Sequence, residues 1–102
     1  MNEQQKIEQA HVLTEGDGWD CYYFARDIEG ADIQALQARL LEIGDGYACY
    51  SFARDVKGAD IQALQARVLT EGSGWDCYCF ARDIEGANTE ALLSRAEQLK
   101  EV

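Results

Sequence analysis

Basic side chains are scarce in this chain: nine Lys and Arg stand against nineteen Asp and Glu, a formal charge of -10 at pH 7 over 102 residues. That shortage excludes attachment to DNA, RNA or anionic lipid through a basic patch, because such binding rests on cations that neutralise phosphates. A basic protein surface is the complementary partner. Long apolar runs are missing as well. Nothing approaches the roughly 18 to 20 apolar residues of a membrane span, and Met1-Asn2-Glu3-Gln4-Gln5-Lys6 is too polar to open a secretory signal. A cytoplasmic protein without a membrane partner is therefore expected. The one histidine is His11, no nucleophile sits near it, and no glycine-rich phosphate loop follows a strand, so neither catalytic residues nor a cofactor are expected. Proline is absent, while apolar residues make up 47% and charged residues 27% of the chain, a composition that describes one small soluble domain able to build a core.

What the chain does have is self-similarity. Three ungapped copies of 28 residues follow one another: Val12 to Arg39, Leu40 to Arg67 and Val68 to Arg95. Copies one and two differ at eight positions and copies one and three at seven, too few for convergence on a shared pattern, so recent tandem duplication is the natural explanation. Residues 1–102 are expected to form a single repeat domain, with 1–11 opening an N-terminal cap helix and 96–102 closing a C-terminal cap. Two glycines divide each copy into two segments of helical length, and the repeat reads as a helix pair.

Asp17, Asp45 and Ser73 are good N-caps for the first helix, since their oxygens accept from the free N–H groups of the opening turn. Cys21, Phe24, Ala25 and Ile28 then fall at i, i+3, i+4 and i+7, as do Cys49, Phe52, Ala53, Val56 and Cys77, Phe80, Ala81, Ile84, one apolar stripe per copy. Gly30, Gly58 and Gly86 stand where a left-handed C′ residue would end the helix, and Asp32, Asp60 and Asn88 follow as the next N-caps. The second helix starts near Ile33, Ile61 or Thr89, carries Leu36, Leu64 or Leu92, and crosses the copy boundary until Gly44 or Gly72 stops it. The segment Glu3 to Glu15 aligns with a preceding second helix but is more polar, and Ala96-Glu97 replaces the Val-Leu pair in the last copy, as expected of caps that present a polar outer face. The prediction is an all-α fold, a short α-solenoid of helix pairs with about seven helices, three repeats and polar ends.

This arrangement is similar in kind to the TPR and HEAT classes of helical repeat, although its 28-residue period is shorter than either and the TPR signature residues are lacking. The string G-D-G-Y-A-C-Y-S-F-A-R-D-V-K-G-A-D-I-Q-A-L-Q, from Gly44 to Gln65, resembles tandem repeats of bacterial and phage proteins of uncharacterised activity, over residues 12 to 95. The resemblance implies an architecture and brings no activity with it.

Four side-chain sets invite a functional reading. Cys21, Cys49 and Cys77 share one repeat position; helix packing spaces them roughly 8 to 10 Å apart, beyond the roughly 7 Å that a disulfide tolerates, so they are expected as small buried apolar groups. Cys79, in the slot of Tyr23 and Ser51, is expected to be exposed and oxidisable. No tight ligand pair for a metal exists. Trp19, Tyr22 and Arg26 recur as Tyr47, Tyr50, Arg54 and as Trp75, Tyr78, Arg82, sharing a helix face at i, i+3 and i+7. They form either a ladder of aromatics and cation-π contacts suited to gripping a partner or, more simply, inter-repeat core with Arg covering its edges. Asp27, Asp55 and Asp83 lie near a helix C-terminus, where the dipole disfavours a carboxylate by roughly 0.3 to 1 kcal/mol. An inter-repeat ion-pair ladder to Arg26, Arg54, Arg82 or to Arg39, Arg67, Arg95 would offset that.

The remaining acids include Asp17, Asp20, Glu42, Asp45, Glu71 and Asp76, with Glu15, Glu29 and Glu85. They gather at helix junctions that a solenoid aligns along its edges, so rows of negative charge could imitate a nucleic-acid backbone. Positions that vary between copies (Asp20/Ala48/Asp76, Tyr23/Ser51/Cys79, Glu15/Ile43/Glu71, Glu29/Lys57/Glu85) are expected at the surface. The middle copy, with Ile43, Ala48 and Lys57, is then a contact centre inside an acidic surround. The functional expectation is a non-catalytic acidic protein-interaction module, an inhibitor that binds a basic nucleic-acid-binding protein as a nucleic-acid mimic, of the anti-CRISPR kind. The alternatives are a general peptide- or protein-binding scaffold that uses the aromatic ladder, and a structural repeat that self-associates into a homo-oligomer through an end carrying Leu93 and Leu99.

Overall fold

The duplication folds as three helix pairs behind one leading helix. A computed structural model describes residues 1–100; residues 101 and 102, the end of the expected cap 96–102, lie outside the described residues. The described residues form seven helices and no strand: α1 (Glu3–Glu15), α2 (Gly18–Asp27), α3 (Ile33–Ile43), α4 (Gly46–Asp55), α5 (Ile61–Glu71), α6 (Gly74–Asp83) and α7 (Thr89–Lys100). First helices stack in a row, α2 on α4 on α6, while α3, α5 and α7 each pack on their own first helix. The result is an α-solenoid-like stack of 49 × 24 × 15 Å. Copy boundaries at Arg39, Arg67 and Arg95 fall inside α3, α5 and α7, so the folded unit is offset from the sequence unit.

Local chemistry sets each helix end. Asp17, Asp45 and Ser73 accept from the backbone N–H three residues on, and in α2 and α6 the side chains of Asp20 and Asp76 return the bond to the cap's own N–H. Such reciprocal caps stabilise a helix by about 1 kcal/mol. α4 lacks the return bond because Ala48 occupies that slot. Asp32, Asp60 and Asn88 cap the second helices through Ala35, Ala63 and Ala91. The first helices end one residue earlier than a C′ glycine implies: Ile28, Val56 and Ile84 are extended C-caps. Gly30, Gly58 and Gly86 are instead the third residues of tight turns closed by Ala31, Ala59 and Ala87 N–H on those C-cap carbonyls. Their φ of 85° to 89° is the geometry that reserves this turn position for glycine.

The core is the expected stripe. Cys21, Cys49, Cys77, Phe52, Phe80, Leu36, Leu64, Leu92, Leu40 and Val68 are fully buried, and each large side chain contributes about 1.5 to 3 kcal/mol of transfer free energy. α1 buries no residue fully, in keeping with its polar sequence. It is held in part by Gln9, whose Oε1 accepts from Asp32 N–H at 2.8 Å. No helix among the described residues is long and apolar enough to cross a membrane.

Candidate functional site

The recurring Tyr, Arg and Asp join into one continuous chain of hydrogen bonds along the row of first helices. Arg26 Nη1 donates to the Tyr22 hydroxyl at 3.3 Å, and that hydroxyl donates to Asp55 Oδ2 in the next repeat. Arg54 grips Asp55 through two nitrogens, at 2.8 and 2.7 Å, and donates to Tyr50, whose hydroxyl donates to Asp83 Oδ2. Arg82 then grips Asp83 at 2.7 Å through both of its contacts. The expected inter-repeat ion-pair ladder does not form, and a different ladder takes its place. Each Arg–Asp ion pair lies within one repeat, between chain neighbours, and the tyrosine hydroxyl carries the step between repeats. The second arginine set is not in it: Arg39 donates to the Gly16 carbonyl at 3.2 and 3.0 Å.

These contacts move the ionisation of the groups involved. Asp27, Asp55 and Asp83 are all held below the usual carboxylate range, first by the guanidinium beside each and, at Asp55 and Asp83, also by the tyrosine donor. Tyr50 is pushed above the usual phenol value by burial and then by its bond to Asp83. The carboxylates that a helix dipole would disfavour are thereby stabilised as anions.

The aromatic face is divided. Tyr22 and Tyr50 are 3% and 2% exposed, covered by the following repeat, and Trp19 is half-buried with its ring 5.6 Å from Tyr47 across the repeat junction. Arg26, Arg54 and Arg82 lie over Tyr22, Tyr50 and Tyr78 at 5.1, 5.1 and 5.5 Å. Tyr47, Trp75 and Tyr78 are the exposed members. The nine residues therefore make no uniform ladder: the first two repeats commit Tyr22 and Tyr50 to packing while Tyr47 stays exposed, and the third exposes both of its aromatics.

The acidic residues have structural duties too. Asp17, Asp20, Asp45 and Asp76 are helix caps, with Asp17 and Asp20 exposed and Asp45 and Asp76 half-buried, while Glu42 and Glu71 are exposed. Among the described residues no three His, Cys, Asp or Glu side chains are placed to hold a metal ion.

Two expectations are overturned by burial. Cys79 is 2% exposed rather than accessible, and Ser51 and Ala48 are buried as well, so these variable positions are not surface. In the stack that slot of α4 and α6 lies in the seam with the preceding first helix, whereas α2 has no such neighbour and Tyr23 stays exposed. Small residues are what the seam accepts. Ala48 similarly packs toward Gly18, where an added Cβ would lie 3.3 Å from its own.

One recurring contact was missed. Gln9, Gln37 and Gln65 each accept, through Oε1, the backbone N–H of the next second-helix cap: Asp32 at 2.8 Å, Asp60 at 2.7 Å and Asn88 at 2.6 Å. Gln37 and Gln65 are buried. The signal was legible in the period, because Gln recurs at one slot and yields to Leu93 in the last copy alone. At the C-terminal end Gly74, Trp75, Tyr78, Leu93, Ala96 and Leu99, with Glu97 and Lys100, line an open cavity of about 590 Å³. Comparison with protein-family models, with curated proteins and with solved structures finds no match to this chain.

Proposed function

We propose that the chain is a non-catalytic acidic interaction module that binds a basic, nucleic-acid-binding protein in the cytoplasm and competes with its nucleic acid. The observation that carries this reading is charge over length. A net -10 is spread along a stack 49 Å long. A DNA duplex of that length bears about 29 charges and a single strand about 14, so the protein approaches the charge density of one strand. Exposed carboxylates occur in every repeat, among them Asp17, Glu42 and Glu71. The rival reading, a scaffold gripping peptides with an aromatic ladder, loses two of its rungs to the repeat junctions, because Tyr22 and Tyr50 are buried there.

An affinity pull-down from a bacterial lysate, washed at about 0.1 M and about 0.5 M salt, tests the proposal, since screening shortens the reach of exposed charge across that range. Retention of a nucleic-acid-binding protein at low salt, its loss at high salt and its displacement by added DNA or RNA support an acidic inhibitor. A partner that survives high salt and ignores added nucleic acid overturns it.

A further inference from the structure

We infer that the edge formed by the N-terminal ends of α2 and α4 docks a basic protein segment, with an arginine of that segment laid on the exposed ring of Tyr47. The inference rests on the acidic-module reading above and names the face which that module uses. The two edges of the stack differ in free charge. At the turn edge Asp27, Asp55 and Asp83 are each paired with the arginine before them in the chain, at 2.6 to 2.7 Å, and Lys57 adds an exposed cation. The opposite edge carries Asp17 and Asp20 on α2, Glu42 in the last turn of α3 and Asp45 at the cap of α4. None of these four forms an ion pair among the described residues. Against them stands Arg39, whose guanidinium is taken up by the Gly16 carbonyl at 3.2 and 3.0 Å. Each capping carboxylate accepts through a single oxygen, Oδ1 of Asp17 and Asp45 and Oδ2 of Asp20. Its second oxygen is open to a donor from outside.

Tyr47 supplies the second, independent observation. It is 45% exposed although a repeat stands on either side of it, so its exposure does not come from a chain end. Tyr23 differs in this respect, because a preceding first helix covers its slot in α4 and α6. Along one face of α4, Tyr47, Tyr50 and Arg54 follow at i, i+3 and i+7. The Arg54 guanidinium lies 5.1 Å over the Tyr50 ring, and Tyr50 is stacked on Tyr47 at 5.6 Å and 13°. The Trp19 ring lies 5.6 Å from Tyr47 on the other side of the repeat junction. These contacts fix the Tyr47 ring, and among the described residues no Lys or Arg lies over it. A planar cation placed there extends a column that the protein has already built. Arginine suits it better than lysine, because a guanidinium is flat and weakly hydrated and stacks on a ring while its N–H groups reach carboxylates beside it.

Ile43 completes the pattern. It ends α3 four residues before Tyr47 and is 40% exposed, where the neighbouring repeats place Glu15 and Glu71. The middle junction therefore offers aromatic and aliphatic surface inside a border of carboxylates. That is the layout in which a desolvated centre supplies affinity and the charged rim supplies steering and orientation.

Titration of the full chain with nona-arginine and with nona-lysine, peptides of equal charge, at about 0.1 M salt tests the inference by calorimetry and by backbone amide shifts. Nona-arginine should bind the more tightly, with shifts gathered at residues 17–20 and 42–48 rather than at 56–60, a map that needs no variant. Tyr47→Ala should weaken nona-arginine binding about two- to fivefold, the range of an exposed cation–π contact, and abolish its advantage over nona-lysine. Tyr47→Phe, which keeps the ring, should retain both. Glu42→Gln should weaken both peptides, whereas Glu29→Gln at the turn edge should weaken neither. Shifts centred on the turn edge, equal losses in the two Glu→Gln variants, or nona-arginine binding indifferent to Tyr47→Ala each overturn the inference and leave the acidic-module reading standing. Failure of both peptides to bind overturns the two together.

Discussion

Adding one methyl group at Gly46 should cost far more than adding it at Gly74, although the two glycines open the same helix in successive repeats. Carbon atoms pack without penalty at about 3.5 to 4.0 Å. A Cβ on Gly46 would lie 2.5 Å from Gly72 Cα and 2.9 Å from Asp76 Oδ2. Repeats 2 and 3 would have to part by about 1 Å, a shift set by those contact distances. Backbone sits on both sides, so no rotamer change relieves the clash. The same parting would stretch the Tyr50–Asp83 hydrogen bond that crosses this junction. Overpacking of this kind costs about 2 to 3 kcal/mol, a fall in Tm of about 10 to 20 °C for a domain of this size. At Gly74 the nearest atom is the Ala96 carbonyl oxygen at 3.4 Å, ordinary contact, and alanine's better helix propensity contributes up to about 1 kcal/mol in the other direction. Gly18→Ala should fall between, since the atom it meets at 3.0 Å is the end of the Leu40 side chain. Thermal and urea unfolding followed by circular dichroism measure all three. Equal Tm values for Gly46→Ala and Gly74→Ala would refute the claim that the slot is closed by the following repeat.

Asp55→Asn removes the anion shared by Arg54 and Tyr22 and should lower stability at pH 7 by about 1 kcal/mol, a value discounted for partial exposure. Because the folded carboxyl titrates below its ordinary 3.8, its contribution is present above that value and lost as pH falls through the folded one. Variant and parent should therefore converge in urea midpoint at strongly acid pH, and a gap that persists there refutes the assignment. Tyr50 titrates above its ordinary 10.0, so its contribution is complete below pH 10 and lost as pH rises through the folded value. Tyr50→Phe should flatten that alkaline limb of a pH–stability curve, and an unchanged limb counts against the hydroxyl as the link between repeats. Burial pushes the Cys49 thiol up to about 12 and Cys21 up to about 11, so neither should react with a thiol reagent at pH 8 until the chain unfolds. Rapid modification of Cys49 in the native protein would show that the core opens there.

Period and spacing made the helices, their caps and the buried stripe legible, because these depend on residues within one turn of each other. Asp17 and Asp20 reveal their capping exchange in sequence, and Phe24, Phe52 and Phe80 announce one face. What lay beyond reach was which side of a repeat its neighbour covers. Cys79 and Tyr23 share a slot, yet one is sealed in a seam and the other faces solvent, since α2 has no preceding first helix. The ion-pair ladder failed for the same reason: side-chain reach across a junction decides whether Arg or Tyr meets Asp55, and the tyrosine hydroxyl arrives there while the arginine is already held by its chain neighbour.

Near-identical copies in unequal surroundings also make the exceptions informative. Trp75 and Tyr78 keep the residue types that Trp19 and Tyr22 use against a following repeat, though none follows them among the described residues. Duplication alone accounts for that retention. It does not account for Leu93, where the recurring glutamine has been exchanged for an aliphatic side chain at the one copy whose slot is exposed. A terminal repeat that met only water would favour the opposite exchange, toward polarity. Elsewhere in the same helix the exchanges do run toward polarity, Thr89 standing where Ile33 and Ile61 stand and Glu90 where Gln34 and Gln62 stand, so Leu93 departs from its own neighbours as well as from the earlier copies.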